Sequence, residues 1–288
     1  MRILILGITG MLGSKAFNFF QSHKEFETFG TLRKNHDINR YFSHCKNVDN
    51  IFSDVDALNT NSVFSAIDKT KPDIILNCIG IIKQLKEANN PLISIEVNSL
   101  FPHKLANFIK NSKIRLIHIS TDCVFSGKKG NYLENDKSDA EDLYGKTKYL
   151  GELNTYKNSI TIRTSIIGHE LKSKLSLLDW FLNQESIVKG YKNAIYSGLT
   201  TLELIKIIKN HIIPDQKKNG LFHVSSNPIS KYDLLKIISK VYKKKILIKM
   251  DKDFKSNKSL NSDWFVKSYS YKKKPWNEMI EELYSSQI

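Results

Sequence analysis

The opening thirteen residues constrain what this chain can fold into more than any later stretch. Arg2 to Leu6 reads RILIL, an apolar run that suits a strand buried on both faces. It enters a turn with Gly7, Gly10 and Gly13, and the SKAFNFFQ that follows has the apolar spacing of a helix. Strand, glycine turn and helix, in that order, form the dinucleotide-binding arrangement of a doubly wound α/β sheet. Glycines there let the backbone turn sharply and approach a pyrophosphate, and the free N–H groups of the helix N-terminus hold its charge. The spacing is GxxGxxG, not the GxGxxG of the usual fingerprint.

A second stretch, from Ile117 to Glu152, supplies the chemistry. Leu116 to Ile119 reads as a strand ending at Ser120 and Thr121, so that hydroxyls emerge at its edge. A turn-rich segment with Gly127, Gly130, Asn131 and Asn135 leads into a helix expected to carry Asp139, Glu141 and Asp142 in its first turn. Tyr144 and Lys148 lie in its body, four apart and so on one face. A phenol of pKa ~10 is a poor acid and a worse base at neutral pH, but a neighbouring ammonium stabilises phenolate and lowers that value. With a hydroxyl from Thr121 or Ser120 alongside, the set holds a proton donor, its tuner and a group to orient a substrate oxygen. A tyrosine and a lysine at this spacing also suit a plain surface helix; the glycine turn upstream is what gives them chemical meaning.

The glycine turn, Asn77 and Gly80 after a later strand, the Ser120–Thr121 pair and Tyr144 with Lys148 together resemble the extended short-chain dehydrogenase/reductase family. STDCVFSG from Ser120, YGKTKYLGE from Tyr144 and RTS from Arg163 are similar, within that family, to dTDP-4-dehydrorhamnose reductases and related nucleotide-sugar 4-ketoreductases. The resemblance implies a Rossmann-type doubly wound parallel sheet over residues 1–165. A smaller C-terminal substrate-binding lobe over 166–288 would return at least one strand to the main sheet. It implies a coenzyme lying along Gly7, Thr9, Gly10, Met11, Leu12 and Gly13, beside Asp54 and Val55 at the adenine and over Asn77 and Gly80. Asn98 would position Lys148 through water, although a buried Asn also suits a structural hydrogen bond.

Thr121, Tyr144 and Lys148 are the implied catalytic group, with Tyr144 and Lys148 also touching the coenzyme and Ser120, Asp122 and Arg163 facing the substrate. The implied reaction is hydride transfer to C4 of a nucleotide-linked 4-keto-6-deoxyhexose, in deoxysugar synthesis for surface polysaccharide. Three alternatives stay open: a UDP-linked 2-acetamido-2,6-dideoxy-4-hexulose as substrate, an epimerase or dehydratase on the same scaffold, and a regulatory or binding protein that keeps the dinucleotide fold without catalysis, against which the intact Thr, Tyr and Lys set argues. Asp122 beside the threonine keeps dehydration open. The aromatic residues that often follow the RTS stretch in the reductases are replaced by Ile166, Ile167 and Gly168, which leaves the sugar open.

The second strand, Glu27 to Leu32, runs into Arg33 and Lys34. A carboxylate at this point binds the adenosine ribose 2′-hydroxyl, whereas Arg accommodates a 2′-phosphate. No carboxylate follows until Asp37, so NADPH is favoured, with NADH the alternative. Further along, helices are expected over 91–110, 175–184 and 230–242, the last with Ser230 as N-cap and Asp233 at N3. Strands are expected over 159–167, 194–199 and 221–225, and His223 on the last reads as structural.

Composition excludes other classes. The formal charge is +15 from 44 Lys and Arg against 29 Asp and Glu, but the lysines are dispersed and only 243–245 and 272–274 form runs. Neither run is interleaved with base-stacking aromatics, so no nucleic-acid partner is expected, and the charge instead helps attract an anionic nucleotide. No stretch approaches the ~20 apolar residues of a membrane span, so no membrane insertion is expected. Cys45, Cys78 and Cys123 have no metal-ligand spacing and an odd count, which argues against a metal site and a disulfide framework and for a reducing cytoplasm. A homodimer is compatible with the chain.

Overall fold

The computed structural model describes residues 1–43, 45 and 47–286. As far as Thr164 the elements are β1 (Arg2–Leu6), α1 (Met11–Gln21), β2 (Glu27–Thr31), α2 (His36–Tyr41), β3 (Ile51–Phe52), α3 (Thr60–Thr70), β4 (Ile74–Asn77), α4 (Pro91–Ile95), α5 (Phe101–Ile109), β5 (Arg115–Thr121), α6 (Leu143–Leu150) and β6 (Ser159–Thr164). Beyond it come β7 (Ile166–Ile167), α7 (Leu177–Leu182), β8 (Val188–Tyr196), β9 (Leu199–Thr200), α8 (Thr201–Ile207), β10 (Gly220–His223), β11 (Ile229–Ser230), α9 (Lys231–Val241), β12 (Ile248–Asn257), α10 (Asp263–Tyr269) and α11 (Trp276–Ser285).

Seven of these strands form one sheet in the order β10-β6-β5-β4-β1-β2-β3, and every pairing is parallel. Parallel strands need crossovers that cover both faces, and the apolar runs are buried accordingly. Ile3 and Ile5 pack with Phe17 and Phe20 of α1 on one side; Leu4 and Leu6 pack with Phe101 and Leu105 of α5 on the other. The strand order reverses between β1 and β4, and ligands of such sheets bind beyond the strand ends at that switch. Leu6 pairs with both Thr31 and Asn77, and Asn77 with His118, so β1, β2 and β4 finish level while β5 runs three residues further, to Thr121.

Residues after Thr164 contribute β10 to the main sheet, a three-stranded sheet β11-β8-β12 and the two-stranded β7-β9. Two expected strands are each divided. The 159–167 run breaks at Ser165 into β6 and β7, and the 194–199 run falls partly in β8 and partly in β9. Leu199 N–H donates to the Ser165 carbonyl (2.8 Å), which joins the two displaced segments in a sheet of their own. Ser230 caps α9 by accepting from Asp233 N–H (3.0 Å), as its sequence pattern predicts.

Two helices depart from expectation. The 91–110 stretch is helical throughout, but Glu96–Leu100 widens into a π turn in which Phe101 N–H bonds to the Glu96 carbonyl. Pro102 explains it, because it has no N–H for the Asn98 carbonyl and its ring crowds that oxygen. The helix carrying Tyr144 begins only at Leu143, with Asp142 as N-cap accepting from Gly145 N–H (2.8 Å). Asp139 and Glu141 lie before it and are engaged elsewhere, Asp139 by Ser126 N–H (2.7 Å) and Glu141 by Lys128 (2.7 Å).

Two buried histidines tie stability to pH. His118 Nδ1 accepts from Asn77 Nδ2 (3.1 Å), and burial, then Lys148, hold its pKa well below the usual imidazole value. His223 Nε2 accepts from Arg163 (3.2 Å), which a protonated ring cannot do; burial, then Arg163, push its pKa down to about 3. Both are bound neutral, so their contribution is complete above the unfolded value of about 6.5 and is lost as pH falls below it. Urea unfolding should therefore show stability level near neutrality and falling below pH ~6.5 by up to ~1.4 kcal/mol per pH unit per histidine. A His223→Asn variant should show the shallower slope; an unchanged slope would mean His223 is not bound neutral.

Candidate active site

The chain leaves β1 through Gly7, whose φ of +82° favours glycine, and Gly7 and Ile8 N–H groups both reach the Thr31 carbonyl (3.2 and 3.0 Å). A Cβ at Gly13 would collide with the Gly7 carbonyl, so only glycine lets α1 sit this close to the strand end. Gly10 is the N-cap of α1 without a side-chain cap, and the first turn carries no acidic residue. The N–H groups of Met11, Leu12 and Gly13 therefore have no acceptor within the helix and point past the sheet's carboxyl edge, a donor set that fits a pyrophosphate.

The neighbouring positions frame the same edge. Arg33 is exposed just after β2. Asp37 is buried and its Oδ2 is held by Lys172 (2.5 Å). Val55 is buried, with its N–H on the Leu32 carbonyl (3.1 Å), while Asp54 is exposed at φ +60° with Ser53 Oγ on its carboxylate (2.8 Å). Thr9 is half-buried in the glycine turn. Asn77 folds back on its own loop by accepting from Ile79 N–H (3.1 Å).

Thr121, Tyr144 and Lys148 converge at the end of β5. Thr121 Oγ1 accepts from Cys123 N–H (3.1 Å) and donates to Asp122 (3.3 Å), and it stands close enough to the Tyr144 hydroxyl to influence its ionisation. Lys148 is buried, and its Nζ donates to the Ile119 carbonyl (2.7 Å). A Cβ at Gly80 would stand 3.4 Å from Asn98 Oδ1 and 3.8 Å from Lys148 Nζ, so the three meet in one small space. The π turn aims Asn98 there. Its Oδ1 accepts from Ile81 N–H (2.9 Å), and its Nδ2 donates to the Ile81 carbonyl (3.1 Å) and Thr147 Oγ1 (3.3 Å). Asn98 thus clamps the loop after β4 to α6 by direct bonds.

The electrostatics correct one expectation. Burial, more than any other influence, raises the Tyr144 pKa well above that of an ordinary phenol, and Lys148 does not offset it. Lys148 is itself pushed down to about 8 by burial, against the pull of Glu152. A phenol of this kind keeps its proton at neutral pH and can give it up only to a strong base, such as an alkoxide forming beside it. Burial also raises the thiols of Cys78 and Cys123, to about 12 and about 11, which disfavours their thiolate forms at neutral pH.

Two expected substrate residues are engaged elsewhere. Arg163 is 2% exposed; its Nε and Nη2 form a paired contact with Glu152 (2.6 Å each), and Nη1 donates to the Glu134 carbonyl (3.3 Å) and to His223. Its guanidinium lies 5.2 Å from the Phe125 ring centre. Ser120 Oγ donates to the same Glu152 carboxylate (2.8 Å). Adjacent residues of a strand point to opposite faces, so Thr121 reaches Tyr144 while Ser120 is spent on the ion pair. Asp122 remains beside the Thr121 hydroxyl, buried, its pKa raised by that burial and opposed by Lys258. Glu152, which gathers Ser120 and Arg163, was not singled out in the sequence; its place four residues after Lys148 was the available signal. Among the described residues no cluster of His, Cys, Asp and Glu could hold a metal ion.

Comparison with known proteins joins this geometry to a family. The profile of the RmlD substrate binding domain matches residues 1–253. A search of curated protein sequences gives no match. The solved dTDP-4-dehydrorhamnose reductase of Bacillus anthracis, in complex with NADP, superposes with a TM-score of 0.80 at 19% identity, covering 99% of this chain and 98% of that one. The dTDP-4-dehydrorhamnose reductase ortholog of Clostridium acetobutylicum gives 0.78 at 20% identity, covering 100% and 99%. The dTDP-glucose 4,6-dehydratase of Bacillus anthracis, in complex with NAD, gives 0.77 at 16% identity, covering 99% and 97%. At such identities the superpositions speak for the fold, and the profile, which spans most of the sequence, speaks for descent. The chain belongs to the RmlD substrate binding domain family and has the fold of an extended short-chain dehydrogenase/reductase.

Proposed function

We propose that this protein is an NADPH-dependent 4-ketoreductase acting on a nucleotide-linked 4-keto-6-deoxyhexose, of the dTDP-4-dehydrorhamnose type, in deoxysugar synthesis for surface polysaccharide. The observation that carries the reading is the meeting of Thr121, a proton-bearing Tyr144 and Lys148 at the carboxyl edge of the sheet, beside an uncapped glycine turn. NADPH, when bound, supplies the hydride. The first-turn N–H groups of α1 hold its pyrophosphate, and Arg33 meets its 2′-phosphate. Lys148, with Gly80 and Asn98, shapes the floor under the nicotinamide ribose. Thr121 holds the C4 oxygen, and Tyr144 gives its proton to that oxygen as the carbonyl becomes an alcohol.

The substrate lobe is placed at 166–288, and the cytoplasm is the proposed compartment. Cys45, Cys78 and Cys123 are free thiols, and no described helix is long and apolar enough to cross a membrane. A homodimer is compatible with this reading, and no nucleic-acid partner is assigned. A second reading, a dehydratase that recycles its coenzyme, is favoured by one feature: Asp122 is a buried carboxyl group that accepts from Thr121. Its raised pKa suits proton donation.

A Tyr144→Phe variant should bind coenzyme normally and lose turnover by roughly 10² to 10⁴; full activity would overturn the assignment. Arg163→Leu tests the corrected role of the arginine. It strands the Glu152 charge and should lower unfolding stability by about 3–5 kcal/mol. A stable variant with a raised KM would restore Arg163 to the substrate.

A further inference from the structure

The turn after β2 carries a second device that bears on coenzyme choice. Asp37 N–H donates to the Lys34 carbonyl (2.9 Å) and Ile38 N–H to that of Asn35 (3.0 Å), so 33–38 is one tight turn that sets Asp37 close behind Arg33. Asp37 is the first carboxylate after β2, yet it is 3% exposed. Lys172 Nζ lies 2.5 Å from its Oδ2, and His36 Nε2 is 3.6 Å from its Oδ1.

Lys172 comes from far along the chain, on the segment between β7 and α7, and that segment is rigidly built. The Glu170 carboxylate accepts from Ser173 Oγ (2.9 Å), Leu175 N–H (2.8 Å) and Ser176 N–H (3.0 Å), and Glu170 N–H donates to Asp179 (2.7 Å). His169 Nδ1 is 2.5 Å from the same Asp179. Lys172 Nζ also stands 5.8 Å from the centre of the Tyr41 ring, which fixes its approach to α2.

We infer that Lys172 and Asp37 form a coenzyme-selecting pair, in which Lys172 locks the first carboxylate after β2 away from the ribose and leaves Arg33 unopposed as the reader of the 2′-position. The inference rests on the NADPH reading above. A free carboxylate in this turn would repel a 2′-phosphate and accept from a 2′-hydroxyl; paired and buried, it does neither. Lys172 acts through Asp37 and is a positioning residue.

The test is equilibrium titration of NADPH and NADH against the whole chain. Lys172→Met should lower the preference for NADPH about tenfold while the NADH affinity stays within about twofold. Adding Asp37→Asn to Lys172→Met should restore the preference, and Lys172→Arg should keep it. Equal weakening of both coenzymes, an unchanged ratio, or a double variant that fails to recover would overturn the inference. If Lys172→Met does not fold, Asp37→Asn alone serves: retained preference supports the pair, and a lost one overturns it. A wild-type chain that binds neither coenzyme would contradict the coenzyme reading itself, and this inference with it.

Discussion

The contact on which the rest depends is the one between α1 and the end of β1. Because Gly13 has no Cβ to collide with the Gly7 carbonyl, the helix N-terminus stands directly over the strand end. Its uncapped N–H groups then share an edge with the finishing points of β2, β4 and β5. One close approach thereby sets an anion-binding terminus beside the switch in strand order, and the hydroxyls and amides ending the neighbouring strands are delivered to the same place.

A second constraint seats the proton-transfer group. Pro102 denies the Asn98 carbonyl its helical partner, the helix widens, and the Asn98 side chain turns to clamp Ile81 and Thr147. On the far side of α6, Gly151 lies so close to the Asn98 carbonyl that any side chain there would collide with it. Helix α6 is therefore held against the π turn at both levels, which fixes Lys148 beneath Gly80 and Tyr144 beside Thr121. The buried Glu152–Arg163 pair adds an anchor from β6, and Ser120 and His223 complete its hydrogen bonds.

Much of this was legible in the sequence, because the decisive features are local. A buried strand, three glycines at a turn and two side chains one helical turn apart are written in contiguous residues. What misled was what depends on distant partners. RTS beside STD reads as a substrate-facing arginine, but the carboxylate that claims Arg163 lies eleven positions upstream across a turn, and its place four residues after Lys148 was the one hint of it. The expected lowering of the Tyr144 pKa failed for a similar reason: burial, which a YxxxK pattern does not show, dominates both groups, and the Lys148 ammonium is spent on the Ile119 carbonyl. Asp139 and Glu141 read as first-turn acids until Ser126 and Lys128 are seen to hold them outside the helix.

The central claim is that the half-buried, proton-bearing Tyr144 completes a net reduction. The most direct measurement follows NADPH absorbance with dTDP- and UDP-linked 4-keto-6-deoxy sugars, with product identified by NMR. The account predicts net coenzyme oxidation matched mole for mole by a 4-hydroxy sugar. Product formed without net oxidation would contradict it and would assign Asp122 and Tyr144 to a reaction that returns its hydride.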